Sequence, residues 1–365
     1  MSAIVVAGRN DLLGARLRNI LGAWRFAKQI NAKFIINWRN YDENYRSPYS
    51  FYDLFDREAV RALDNVNVVE VELDGSISSV EGTIAPDVLG RALDPKAWTV
   101  VTSLNVANSQ PTDISAQVIR YEVTGPMRFE GESMGDANAD MADLFVGLPI
   151  NKAVAAAIES AASTNSKIVV SHIRRGNLVE YLFGRDSQSL EALRSDIKNF
   201  VPRYAHLNAY RRVIDSRFPD SPLDFFSDDL QLRGAACAMY GSRVVDQNAA
   251  LDAHPLTELQ RAFAEFLLIS RCEAIVSTNS AFAILPAILG RVPQFDARRH
   301  TLAEEVIDDL SHLVRASHRY TGTDKHMFFA EILQNFSELY ADPKLADQSA
   351  EFATAADAAR RGRQP

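Results

Sequence analysis

Read for the alternation of apolar and polar positions, the chain opens as a strand, a helix and a second strand. Ala3 to Ala7 is continuously apolar. A turn spans Gly8 to Gly14, and from Ala15 to Asn31 the residues Leu17, Ile20, Leu21, Trp24 and Ala27 recur at helical spacing. Phe34-Ile35-Ile36-Asn37-Trp38 then reads as the second strand. A connection of that length crosses over to a parallel neighbour, so the opening predicts a βαβ unit. Shorter strands are expected at 66–71, 98–101 and 117–121. Tyr41 to Phe55, aromatic and polar without a period, reads as a loop over a surface, and Gly131 to Asp140 as another loop. A helix is expected to open at Leu148-Pro149 and run through Ala162.

The second half repeats the strand, loop and helix theme. Apolar runs at Lys167 to His172, Leu223 to Ser227 and Ala274 to Ser277 predict strands, and Asp228 to Gly241 and Asn279 to Gly290 predict helices after the last two. Arg261 to Arg271 is a further helical run, and Val292 to Phe295 a last strand. Strands apolar along their whole length are those covered by helices on both faces. The expected class is therefore α/β. The expected division is a first domain at 1–147, a second at 148–345, and a disordered tail at 346–365, rich in Ala and charge.

Bulk properties narrow the function. With 365 residues, 47% of them hydrophobic, the chain can fill two ordinary cores. A net charge of -8 and a pI near 5.5 argue against a nucleic-acid binder, so any anion site is local. Cys237 and Cys272 lack zinc or redox spacing and read as buried thiols in a reducing compartment. No apolar run reaches membrane-spanning length and the N-terminus is too short for a signal peptide, so a cytoplasmic protein is expected. The basic end around Arg360 leaves a peripheral membrane contact open.

Ligands in open α/β sheets collect beyond the carboxyl ends of strands. Three strand ends carry unusual chemistry. After the first comes His172-Ile173-Arg174-Arg175-Gly176-Asn177, whose two guanidinium forks suit a diphosphate. After the second comes Ser227-Asp228-Asp229, where Ser227 or Asp228 is expected to cap the following helix and the motif acquires a ligand role only beside the other loops. After the third, Thr278-Asn279-Ser280-Ala281 offers hydroxyls and helix-start N–H groups that fit either a cap or a phosphate. The first turn, with Gly14 and Arg16, is neither a phosphate-cradling P-loop nor a dinucleotide-binding glycine motif. No Asp-x-Asp and no His-Glu-x-x-His occurs, so no metal and no cofactor is expected, and a leaving diphosphate would be neutralised by arginine and helix termini.

Taken together, Leu13-Gly14-Ala15-Arg16-Leu17 with Ala23-Trp24-Arg25-Phe26-Ala27 and Phe34 to Arg39, the basic loop from His172 to Asn177, Ser227-Asp228-Asp229, and Glu265 through Ser280 to Phe282 resemble the motifs of the fucosyltransferase superfamily that includes NodZ and the core α1,6-fucosyltransferase. The resemblance spans roughly residues 8 to 300. It implies a GT-B architecture of two Rossmann-like domains facing a cleft, with an N-terminal acceptor domain, a C-terminal donor domain and metal-independent, inverting transfer from GDP-fucose. By motif position it implies Arg174 as the essential diphosphate contact with Arg175 auxiliary, His172 and Glu265 on the guanine, and Ser280 with its neighbours at the phosphates. Asn177 stands where many members carry Asp, and Glu265 where Asp is usual. Glu180 is the expected catalytic base by position, with Asp186 second. The acceptor is expected to be an oligosaccharide or lipid-linked glycan. Another GDP-deoxyhexose donor, or a binding module without turnover, are the alternatives. Trp38, Tyr41, Tyr45, Tyr49, Phe51 and Tyr52 could stack on sugar rings or fill a core.

Overall fold

The computed structural model describes residues 3–9, 13–39, 49–72, 74–101, 117–129, 131–162, 167–174, 182, 190–317 and 322–361. The chain forms two compact units. The first comprises Met1–Ser166, Gln247–Cys272 and Ile284–Val292; the second comprises Lys167–Asp246, Glu273–Ala283 and Pro293–Pro365. Residues 148–162 thus pack with the first unit rather than opening the second, and two later segments return to it.

The first unit is built on a six-stranded sheet of β1 (Ile4–Ala7), β2 (Lys33–Arg39), β3 (Val66–Val71), β4 (Ile77–Glu81), β5 (Trp98–Val101) and β6 (Val118–Tyr121). Its order is β4-β3-β2-β1-β6-β5, parallel throughout except for β4, which runs antiparallel to β3. Every residue of β1 is buried, which requires cover on both faces. Helix α1 (Leu13–Gln29) covers one, stacking Trp24 on Phe34 and Phe26 against Tyr121. On the other face, Val88 and Leu89 of α3 (Pro86–Leu93) pack against Ile4, Val6, Ile35 and Val118. The short α2 (Arg57–Arg61) precedes β3, and α9 (Gln247–Asp252) and α10 (Glu258–Ile269) join from later in the chain. β4 escapes a reading by apolar pattern because it is an edge strand whose Ile77 and Val80 are exposed.

Three expectations are corrected here. The segment 131–140 is not a loop: α4 spans Met134–Val146. The Ser133 hydroxyl accepts from the Asp136 N–H at 3.1 Å and the Asp136 carboxylate accepts from the Ser133 N–H at 3.2 Å, and this reciprocal cap offsets the weak helix formers of the first turns. α5 (Lys152–Ala161) then starts at an Asn151 cap, later than Leu148. Secondly, the described part of the aromatic segment is core. Trp38, Tyr49, Phe51, Tyr52 and Phe55 are all buried, the Trp38 indole donates to the Tyr49 carbonyl at 2.9 Å, and buried Glu70 accepts from the Phe51 N–H and from the Ser50 and Ser79 hydroxyls. These rings fill the interior and are not a sugar platform; Tyr41 and Tyr45 lie outside the described residues.

The second unit has four parallel strands, β7 (Val169–Ile173), β8 (Leu223–Ser227), β9 (Ala274–Ser277) and β10 (Gln294–Asp296), in the order β10-β9-β7-β8. Helix α7 (Leu207–Arg217) lays Ala209, Tyr210, Val213 and Ile214 on Val169, Phe225 and Val276, and α8 (Leu230–Tyr240) follows β8. α11 (Ala281–Gly290) follows β9. A second core joins α6 (Leu190–Phe200) to the C-terminal helices α12 (Ala303–Ser317), α13 (Gly322–Tyr340) and α14 (Pro343–Arg361). The third correction concerns this end: the segment expected as a disordered tail is helix α14 as far as Arg361. Leu345 and Ala356 are buried, Phe352 stacks on Phe329 at 4.8 Å, and the Ser349 hydroxyl donates to the Ala330 carbonyl at 2.7 Å. Both cysteines are free and only half-buried. Among the described residues no helix is long and apolar enough to cross a membrane.

Candidate functional site

The order of the second sheet fixes where its ligands can bind. From β7 the chain steps to β8 on one side, and then returns past β7 to lay β9 on the other. Between β7 and β9 the connections leave in opposite directions, and the crevice opened at such a switch point, outside the carboxyl ends of the strands, is where open α/β sheets hold ligands. His172 pairs in register with Ser277 across this boundary, so Arg174 on one side and Thr278 to Ser280 on the other flank the switch point. On the far side of β7, His172 pairs with Phe226 and Ile173 with Ser227, which brings Asp228 to the same edge.

Arg174 is only 17% exposed, and its Nε lies 3.3 Å from the Asp228 carboxylate. The pair holds the guanidinium at the strand end, while Asp228 keeps 26% of its side chain in solvent. Asp229 is committed to α8: its carboxylate accepts from the Leu232 N–H at 3.0 Å, and its own N–H donates to the Ser227 hydroxyl. The cap of α8 is thus Asp229, and not Ser227 or Asp228 as the sequence suggests; Asp228 instead faces Arg174.

His172 is buried with its ring stacked on Phe282 at 5.4 Å. Burial pushes its pKa down to about 4, with the Arg174 charge acting in the same direction and Asp228 opposing. The imidazole is therefore neutral near pH 7, and its Nδ1 has no hydrogen-bond partner among the described residues. Tyr210 fixes the strand beneath it by donating to the His172 carbonyl at 3.3 Å.

At the β9 end, the Thr278 hydroxyl donates to the Arg203 carbonyl at 2.6 Å, the Asn279 N–H donates to Pro202 at 3.3 Å, and the Ser280 N–H donates to the Thr278 carbonyl at 2.9 Å. The N–H groups of Asn279 and Ser280 are thus already used, and an incoming phosphate would meet the start of α11 from Ala281 onward instead. Thr278 and Ser280 are buried and Asn279 is exposed. Pro202 also accepts from Arg298, which is paired with Asp296 at the end of β10, so the segment 201–203 braces this edge of the sheet. Sequence reasoning missed this bracing, because it depends on a turn from elsewhere in the chain.

The remaining expected residues are distributed differently. Gly14 and Arg16 lie in α1 of the first unit, where Arg16 donates to the Arg39 carbonyl at 3.0 Å and lies over the Trp38 ring. Glu265 lies on α10, also in the first unit, and accepts from Arg261 at 3.2 Å. None of these three is among the residues that the second sheet brings together. Arg175, Asn177, Glu180 and Asp186 lie outside the described residues.

No protein-family profile and no curated protein matches the chain. Solved structures do. A fucosyltransferase NodZ from Bradyrhizobium aligns at 14% identity over 81% of this chain and 96% of its own, with a TM-score of 0.48. NodZ α-1,6-fucosyltransferase co-crystallised with GDP aligns at 15% identity over 81% and 95%, with a TM-score of 0.49. In structure the chain is similar to fucosyltransferases. POFUT1 in complex with GDP-fucose aligns at 11% identity over 80% of this chain and 96% of its own, with a TM-score of 0.43.

Proposed function

We propose that this chain is a glycosyltransferase that takes GDP-fucose at the carboxyl edge of the second unit's sheet and passes fucose, with inversion and without a metal, to a hydroxyl of an oligosaccharide or lipid-linked glycan. The observation that carries the reading is the position of Arg174, a guanidinium at the β7/β9 switch point that is held by the partly exposed Asp228 carboxylate. The donor's identity rests on the motif resemblance from His172 to Phe282.

In this reading the diphosphate displaces Asp228 from Arg174, and the fork of the guanidinium takes two phosphate oxygens. The bond between the sugar C1 and the diphosphate oxygen breaks, GDP leaves with the electron pair, and Arg174 neutralises the charge it gains. The acceptor oxygen forms its bond to C1 from the opposite face, and its proton passes to a carboxylate, Glu180, with Asp186 the second candidate. Neutral His172 beside Arg174 contributes hydrogen bonding without adding positive charge. Arg175, Asn177 and the α11 start at Ala281 complete the donor site.

Thermal unfolding with GDP, UDP and ADP tests this directly. A ligand at a hundred times its Kd stabilises the fold by about 2.7 kcal/mol, so GDP is expected to raise the midpoint by several degrees and Arg174→Ala to remove most of that rise. A rise with UDP and none with GDP would overturn the donor assignment.

A further inference from the structure

The second unit carries a cavity that the proposed donor site does not use. Its volume is about 540 Å³, a size that holds small molecules. It lies where Asp296, the last residue of β10, and the turn after it meet the turn from α13 into α14. In the order β10-β9-β7-β8, β9 separates this edge from β7, whose end carries Arg174.

Two side chains of the lining are anchored to one stretch of backbone. The Tyr340 hydroxyl donates to the Tyr204 carbonyl at 3.2 Å, and Arg298 Nη1 donates to the Pro202 carbonyl at 3.1 Å. The walls are thus preformed. Leu339, Ala341 and Pro343 make the apolar part of the lining, and Leu339 stands exposed beside the Tyr340 ring. Ala341 turns the chain there with φ 53°, a left-handed conformation that glycine would adopt at less cost.

The charges of the lining decide what it can hold. Asp296 and Arg298 neutralise each other, with Nε 2.9 Å from Oδ1 and Nη2 2.6 Å from Oδ2. Asp342 caps α14: its carboxylate accepts from the Lys344 N–H at 2.9 Å, so its charge faces a helix N-terminus. Arg299 is exposed and makes no ion pair or hydrogen bond with any described residue. The one unmatched charge of the lining is therefore positive. A guanidinium fork pairs with a carboxylate or a phosphate, and the apolar wall beside it suits a hydrocarbon or ring body. We propose that this cavity is a second ligand site, which takes a small organic anion through Arg299 and its apolar body against Leu339, Tyr340 and Pro343. The proposal stands apart from the transferase reading, because no residue of the donor edge takes part in it.

Ligand-observed NMR titration of the full chain tests this, with benzoate and phenyl phosphate as anionic probes and benzyl alcohol as their neutral counterpart. Wild type is expected to bind at least one of the anions, at least tenfold more tightly than benzyl alcohol. Binding of benzoate alone or of phenyl phosphate alone would support the proposal and name the group that the fork takes. Arg299→Gln, at an exposed position that the fold does not depend on, is expected to weaken the anion about tenfold, the equivalent of one charge-assisted hydrogen bond. Arg174→Ala, at the donor edge, is expected to leave it unchanged. No binding of either anion would overturn the proposal, as would equal binding of benzyl alcohol or an unchanged affinity in Arg299→Gln. Loss of the anion in Arg174→Ala, or its displacement by GDP, would overturn it too, by placing the probe at the donor edge instead.

Discussion

His172 couples the chemistry of the second sheet to its stability. A histidine whose folded pKa is about 4 against 6.5 unfolded binds its proton more readily when unfolded. Its contribution is therefore fully present above about pH 6.5 and is lost as the pH falls towards 4. The slope is about 1.4 kcal/mol per pH unit in that window. Urea denaturation at pH 7 and pH 5 should show wild type losing about 2 kcal/mol more than His172→Phe, whose ring can keep the contact with Phe282. Identical losses would mean that this imidazole is not held neutral by burial. Arg174 poses a different question, because what changes when a ligand binds is its partner. The ion pair with Asp228 is a ligand-free arrangement in the proposed reading, with the carboxylate occupying one face of a fork that a diphosphate would take.

Among the elements, α14 and α4 show what pattern reading passes over. The Ala-rich composition that suggested a frayed end is also the composition of a good helix former, and Leu345, Ser349, Phe352 and Ala356 repeat at spacings of four, three and four along one face. Leu345→Ala is expected to cost roughly 2–5 kcal/mol in chemical denaturation, the range for a leucine deleted from a packed core. A change under about 0.5 kcal/mol is what an unpacked tail would give. For α4 the signal was local and legible: Ser133 followed by Asp136, ahead of Ala137, Met141, Ala142 and Phe145. Its Gly, Asn and Asp residues masked it. The strands were easier. β1, β2, β3 and β6 to β9 lie where apolar runs predict them, because strands covered on both faces are largely apolar; the partly exposed edge strands β5 and β10 also lie at or within two residues of their expected places, whereas the exposed edge strand β4 carries no such mark.

At the scale of the molecule, strand ends were legible and partnerships between distant segments were not. Parallel strands share one carboxyl edge, so Arg174, Asp228 and the Thr278 to Ser280 segment could be assigned to that edge from the sequence, whereas the strand order that puts the switch point between β7 and β9 is seen only in the structure. Nothing in a sequence window says that α10, with Glu265, packs beside α1 and α5 rather than with the strands on either side of it in the chain, or that a turn at 201–203 uses the Asn279 N–H. The net charge of -8 makes the central claim demanding, since a diphosphate must be held by local guanidinium chemistry against the field of the whole chain. The most direct test is the release of GDP from GDP-fucose by slow hydrolysis, measured with EDTA present in wild type and in Arg174→Ala. The account predicts release that EDTA leaves unchanged and that the substitution lowers by two or more orders of magnitude, in line with removing a group that stabilises a leaving anion. Release that stops with EDTA, or that continues at the wild-type rate without Arg174, would contradict it.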